Sequence, residues 1–144
     1  METRFTSFEE FWPYYVGEHK KKSTRVMHFV GTTAAMACVA GGLLTKRRWL
    51  LAVAPFAGYG PAWISHFFIE KNRPATFKYP LWSLKADFVM WGKMAMGKMD
   101  AEVARVAEAQ AKAESAAAAE KSEKPAASPA PAAVRVDAKP ETVN

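Results

Sequence analysis

The chain holds a single cysteine, Cys38, among 144 residues. That count excludes an internal disulfide and a cysteine-ligated metal, and Cys38 reads as a small packing residue within an apolar run. Histidine is almost as scarce, with only His19, His28 and His66. No His-Glu-x-x-His helix and no dense histidine box is present. Zinc-finger spacing, a glycine-rich RNA motif and a basic base-reading helix are missing too, so nucleic acid is not an expected partner. Met1-Glu2-Thr3-Arg4 leads straight into an aromatic, acidic segment, so no secretory signal is expected. A polar stripe is also lacking from both long apolar runs, residues 26–44 and 49–69, which argues against a water-soluble helical hairpin.

What is present is unevenly distributed. Residues 1–100 carry 14 Lys/Arg against 7 Asp/Glu, and the remainder is close to neutral. Basic charge beside long apolar runs points to an anionic lipid surface. Each run has the length to span a bilayer, and between them lies only the basic turn Thr45-Lys46-Arg47-Arg48. The expected fold is all-α: a membrane hairpin of two spans flanked by interfacial amphipathic helices. His28, Gly31, Ala35, Cys38 and Gly42 form a small-residue face on the first span, and Ala54, Gly58, Ala62, His66 and Glu70 one on the second. Such faces let membrane helices approach closely and also favour a homo-oligomer. Pro55, Gly60 and Pro61 predict a kinked or locally broken second span.

Outside the hairpin, Ser7-Phe8-Glu9-Glu10 is a capping box opening a helix with Phe8, Trp12, Tyr15 and His19 on one face. That face suits either a membrane interface or packing against the hairpin. A further helix over residues 80–99 places Leu84, Phe88, Trp91, Ala95 and Met99 on one side, a pattern for a helix lying in the interface. The domain expectation is a membrane helical domain over 1–100. Residues 101–144 follow as a tail rich in Ala, Glu and Lys, then Ala and Pro, largely disordered. Arg4, Lys20, Lys21, Lys22, Arg25, Lys71, Arg73 and Lys78 outnumber the three cations of the turn. The positive-inside rule therefore puts both termini in the cytoplasm, in a bacterial inner membrane or its equivalent.

The histidines converge. In an antiparallel hairpin, His28 lies about 28 Å and His66 about 29 Å from the turn at ~1.5 Å per residue, and His19 can reach the same level. Three imidazoles at one level could bind a first-row metal. They could equally sit among headgroups and form ordinary hydrogen bonds. Glu70, one turn beyond His66, is a candidate ligand or ion-pair partner, while Asn72, Arg73 and Lys78 could meet a carboxylate or phosphate headgroup.

Tyr15, His19, Arg25, His28 and Gly31, together with His66-Phe67-Phe68-Ile69-Glu70-Lys71-Asn72-Arg73-Pro74-Ala75, resemble a widespread family of small membrane proteins. Its characterised fungal member is a 2-hydroxy fatty acid dioxygenase of phytosphingosine breakdown. The resemblance covers about residues 5–95, in a short form. It implies Fe(II)-dependent alpha-oxidation of a 2-hydroxy fatty acid by O₂ to an acid one carbon shorter. His19, His28 and His66 would be the metal ligands. Arg73 would steer the substrate carboxylate with Asn72 beside it, and Glu70 would be a ligand or support a histidine. The chain departs from the family pattern at Lys20, where relatives often carry a second histidine, and at Ser65, where they carry glycine. It also has a four-residue turn where the fungal type has extra membrane segments. The competing reading is a non-catalytic membrane protein that binds lipid or a partner through the hairpin.

Overall fold

A computed structural model describes residues 4–123. The helices are α1 (Phe8–Gly17), α2 (Lys22–Leu44), α3 (Trp49–Ile64), α4 (Pro80–Ala95) and α5 (Met99–Glu123). A π-helical segment, Ser65–Glu70, continues α3, and a 3-10 turn, Ala75–Phe77, precedes α4. No strand occurs among the described residues, so the all-α expectation holds there.

Helices α2 and α3 form the antiparallel hairpin, and the small-residue faces meet. A Cβ placed on Gly31 would lie 2.7 Å from the backbone oxygen of Gly58, and one on Gly42 would lie 2.8 Å from Leu51. The backbone contact requires glycine at Gly31, whereas at Gly42 the Leu51 side chain would have to shift. The outer surface is apolar, with Val30, Val39, Leu43, Phe56, Ile64 and Phe68 all exposed. Of the described helices, α2 alone is both long and apolar enough to cross a bilayer. The second run is interrupted, as Pro55, Gly60 and Pro61 lead one to expect. Sixteen α-helical residues, with Pro55 and Pro61 inside, give way to six π-helical ones. Each proline removes a backbone donor, and the wider turn re-registers the chain just where His66 must point inward.

A separate core caps the histidine end of the hairpin. Phe11, Trp12, Tyr15 and Val16 of α1 are buried against Tyr79, Ala86 and Met90, with Met99 and Val106 of α5. The aromatic stripe of α1 thus packs on protein, with α4 and the start of α5 as its partners in place of the hairpin itself. Ser7 Oγ accepts the Glu10 N–H as the capping box requires, while Glu10 reaches back one residue further, to the Thr6 N–H and hydroxyl. Leu84 and Phe88, on the apolar stripe expected to lie in the interface, face outward, and α4 has a separate inner face. Ser83, Ala86, Asp87 and Met90 are buried, whereas Leu84 and Phe88 are 43% and 48% exposed. The reason is that α4 packs on both α1 and α2, so its inner face must be narrow and must bring Asp87 to His28.

Helix α5 begins at Met99, and its first turns belong to the compact unit that ends at Ala111. Trp12 Nε1 donates to Glu102, which also pairs with Lys93 and Arg105. From Lys112 to residue 121 the helix is exposed throughout. Residues 101–123 of the expected tail are helical, the lone helix that their Ala, Glu and Lys content allows, and Met99 and Val106 anchor its start. The remainder of that expectation, from residue 124 on, lies outside the described residues.

Candidate metal centre

His19 follows α1, His28 lies on the second turn of α2, and His66 lies in the π-helical segment. All three are buried. Their Nε2 atoms form a nearly equilateral triangle: 3.2 Å from His19 to His28, 3.2 Å from His28 to His66 and 3.1 Å from His66 to His19. The rings stand almost perpendicular to one another, at 80–89°.

The opposite nitrogens decide the chemistry of that triangle. His19 Nδ1 lies 2.6 Å from the Tyr15 carbonyl, His28 Nδ1 2.8 Å from Asp87 Oδ1, and His66 Nδ1 2.8 Å from Asn72 Oδ1. The first two partners can only accept. The Asn72 amide is oriented by its Nδ2, which donates to the carbonyl and the carboxylate of Glu18, so its oxygen faces His66. Each Nδ1 therefore carries the proton, and each Nε2 presents a lone pair. Three buried acceptors then face each other without a donor, an arrangement that costs free energy unless a cation sits among them. A proton is a poor candidate. Burial, then the neighbouring His28 and His66, holds His19 well below the usual imidazole range.

A metal fits. Bonds of about 2.1 Å at octahedral to tetrahedral angles hold neighbouring nitrogens about 3.0–3.4 Å apart, which brackets the observed edges. All three potential ligand atoms lie within 4.8 Å of one another. Neutral imidazoles suit Fe, Zn, Cu or Ni, and three from one side leave coordination positions for other molecules.

The surrounding shell is dense. Asp87 Oδ1 accepts from both His28 Nδ1 and the Tyr15 hydroxyl. Burial, then the Asp87 charge, raises the Tyr15 phenol well above its ordinary range, so it remains a donor. The Tyr15 ring also stacks on His19, with centroids 4.1 Å apart. Arg25, itself buried, donates to the carbonyls of His19 and Lys20 and pairs with Asp100 at 2.8 Å, fixing the loop that carries His19. The Asn72 N–H donates to the His66 carbonyl, so one residue holds both backbone and ring of His66.

The other residues singled out in the sequence are placed differently. Glu70 accepts the Lys21 N–H at 2.7 Å, tying the π-helical segment to the start of α2, and is not among the three converging ligands. Asn72 lies against His66, and Arg73 is exposed beyond it. Lys20 is exposed and Ser65 is buried, its hydroxyl donating to the Ala62 carbonyl. Asp87 escaped sequence reading. A lone carboxylate on an otherwise apolar helix face was its only signal, and the stripe beside it drew the weight.

Residues 5–99 match the family model described as 2-hydroxy-palmitic acid dioxygenase Mpo1-like. The chain belongs to that family. No curated protein and no solved structure matches it.

Proposed function

We propose that this chain, as a member of that family, oxidises 2-hydroxy fatty acids with O₂ at one iron(II) ion held by His19, His28 and His66. The observation that carries the reading is the convergence of three buried Nε2 lone pairs, each fixed by an acceptor behind its ring. Iron(II) with open coordination positions supplies the redox chemistry that O₂ needs to react with a closed-shell substrate, which side chains alone do not provide.

The reaction balances with one O₂. The substrate R–CH(OH)–COOH loses its C1–C2 bond; C2 becomes the carboxyl carbon of R–COOH, and C1 leaves as CO₂ with one water. Four electrons leave the two carbons and reduce O₂.

The chain's own residues prepare this site. Asp87, Asn72 and the Tyr15 carbonyl hold the imidazoles in one tautomer. Tyr15 keeps the Asp87 carboxylate aimed at His28. Asn72 and Glu70 act by positioning, while Arg73, exposed past the π-helical segment, steers an approaching carboxylate. The hairpin lies in a bacterial inner membrane, with the histidines and both termini on the cytoplasmic side. The spanning length of α2, the exposed apolar surface of α3 and the cations around the histidine end support that placement.

The test uses the full chain in lipid nanodiscs, loaded with Fe(II) under anaerobic conditions and given 2-hydroxypalmitate and O₂. Pentadecanoate and CO₂ should form in equal amounts, and His66→Ala should form neither. An iron-loaded protein that yields no shortened acid would contradict catalysis and favour a lipid-binding role for the hairpin.

A further inference from the structure

A cavity of about 260 Å³ lies between α2, α3 and α4. Its walls are mostly apolar, and they include two residues of the histidine cluster, His28 and Asp87. From there it passes Thr32, Ala35, Gly58 and Ala54, and Leu84 and Phe88 form its α4 side. We propose that this cavity is the acyl-chain site: it takes the first carbons of the substrate chain beyond the reacting end and releases the rest past Leu84 and Phe88 into lipid.

Three observations point to an alkyl chain as occupant. The cavity is continuous with the histidine cluster, so a chain within it has one end beside His28. Its far wall is made of small residues, Ala35, Ala54 and Gly58, where larger side chains would fill the space. Its α4 edge is two apolar side chains that are nearly half exposed, Leu84 and Phe88. The exposure that looks wasteful on a soluble helix gives a lipid tail a greasy exit.

Depth follows from the helix. Seven residues separate His28 from Ala35, about 10 Å of rise, enough for roughly eight extended methylenes. Longer chains leave their ends in the bilayer. Preference should therefore rise with length up to about ten carbons and then become flat.

The inference rests on the fatty acid reading, and its test separates the two. A 2-hydroxy fatty acid with a diazirine near carbon 8 is photolysed with the iron-loaded full chain in nanodiscs without O₂, and labelled peptides are identified. Label should fall on the segments holding Tyr59, Leu84 and Phe88 and be displaced by 2-hydroxypalmitate. Ala54→Phe, which plugs the far wall, should weaken 2-hydroxypalmitate binding about tenfold or more while sparing a four-carbon 2-hydroxy acid. Leu84→Trp, at the exposed lip, provides the same comparison should Ala54→Phe not fold. Label confined to the outer hairpin surface around Val30, Val39 and Leu43, or a plugged cavity without effect on long chains, would overturn the proposal. Correct labelling without turnover would keep the chain site and remove the dioxygenase reading. Turnover with label elsewhere would do the reverse.

Discussion

Asp87 is the residue on which the histidine triangle leans most. One of its oxygens accepts from both the Tyr15 hydroxyl and His28 Nδ1, so its charge reaches the metal-facing nitrogen through the imidazole. Replacing Asp87 with Asn should lower metal affinity about 10–100-fold without loss of helix content, read by competition with a chelator. Tyr15→Phe should have the same direction and a smaller effect. Lys20 supplies the converse case. Its side chain is exposed, whereas the three histidines are buried. Lys20→His should therefore leave metal stoichiometry and affinity unchanged; a gain would mean that a fourth ligand is missing. The three histidines were legible because they are scarce and because helical rise brought them level. Their supporting residues were less so, since the Asp87–His28 pair joins positions 59 apart in the chain and no local spacing encodes it.

At the scale of elements, the hairpin depends on backbone contact at Gly31. Any Cβ there meets the Gly58 oxygen at 2.7 Å, and a carbonyl on a helix cannot step aside. Gly31→Leu should cost about 1–3 kcal/mol in thermal or denaturant unfolding, and it should weaken metal binding by parting His28 from His66. Gly60→Ala, with nothing within 4 Å of the new methyl, should be neutral or slightly stabilising.

The start of α5 depends on Glu102. The Arg105 hydrogen bond, helped by the Trp12 indole and Lys93, lowers its carboxyl to about 2 from an ordinary 4.5. A carboxyl depressed in the fold adds stability that is complete above the ordinary value and is lost as pH falls through the lowered one. Amide protection factors over residues 99–106, relative to the intrinsic exchange rate at each pH, should thus fall between about pH 4.5 and 2, and Glu102→Gln should remove that fall. Helices α1 to α4 were readable from apolar periodicity, with a side-chain cap at α1 and none at α2, α3 or α4. The face of α4 was not, because its inner side is chosen by two partners at once, and the π-helical segment left no mark that periodicity could show.

For the molecule as a whole, a buried polar centre sits where an apolar hairpin meets a small aromatic cap. The hairpin was legible because two apolar runs flank a four-residue turn. The cap was not, because Phe11, Val16, Met99 and Val106 come together only through tertiary packing. The full chain should stay with membranes through alkaline extraction, and release into the soluble fraction would contradict the bilayer placement.

The central claim is that the three Nε2 atoms hold one iron ion, and X-ray absorption at the iron edge tests it most directly. Anaerobically loaded protein should bind one iron per chain, with three imidazole nitrogens in its first shell at about 2.1 Å. His66→Ala should lose that imidazole count together with most of the iron. An iron shell of oxygen atoms only, or wild-type protein that retains no more iron than the variant, would contradict the claim.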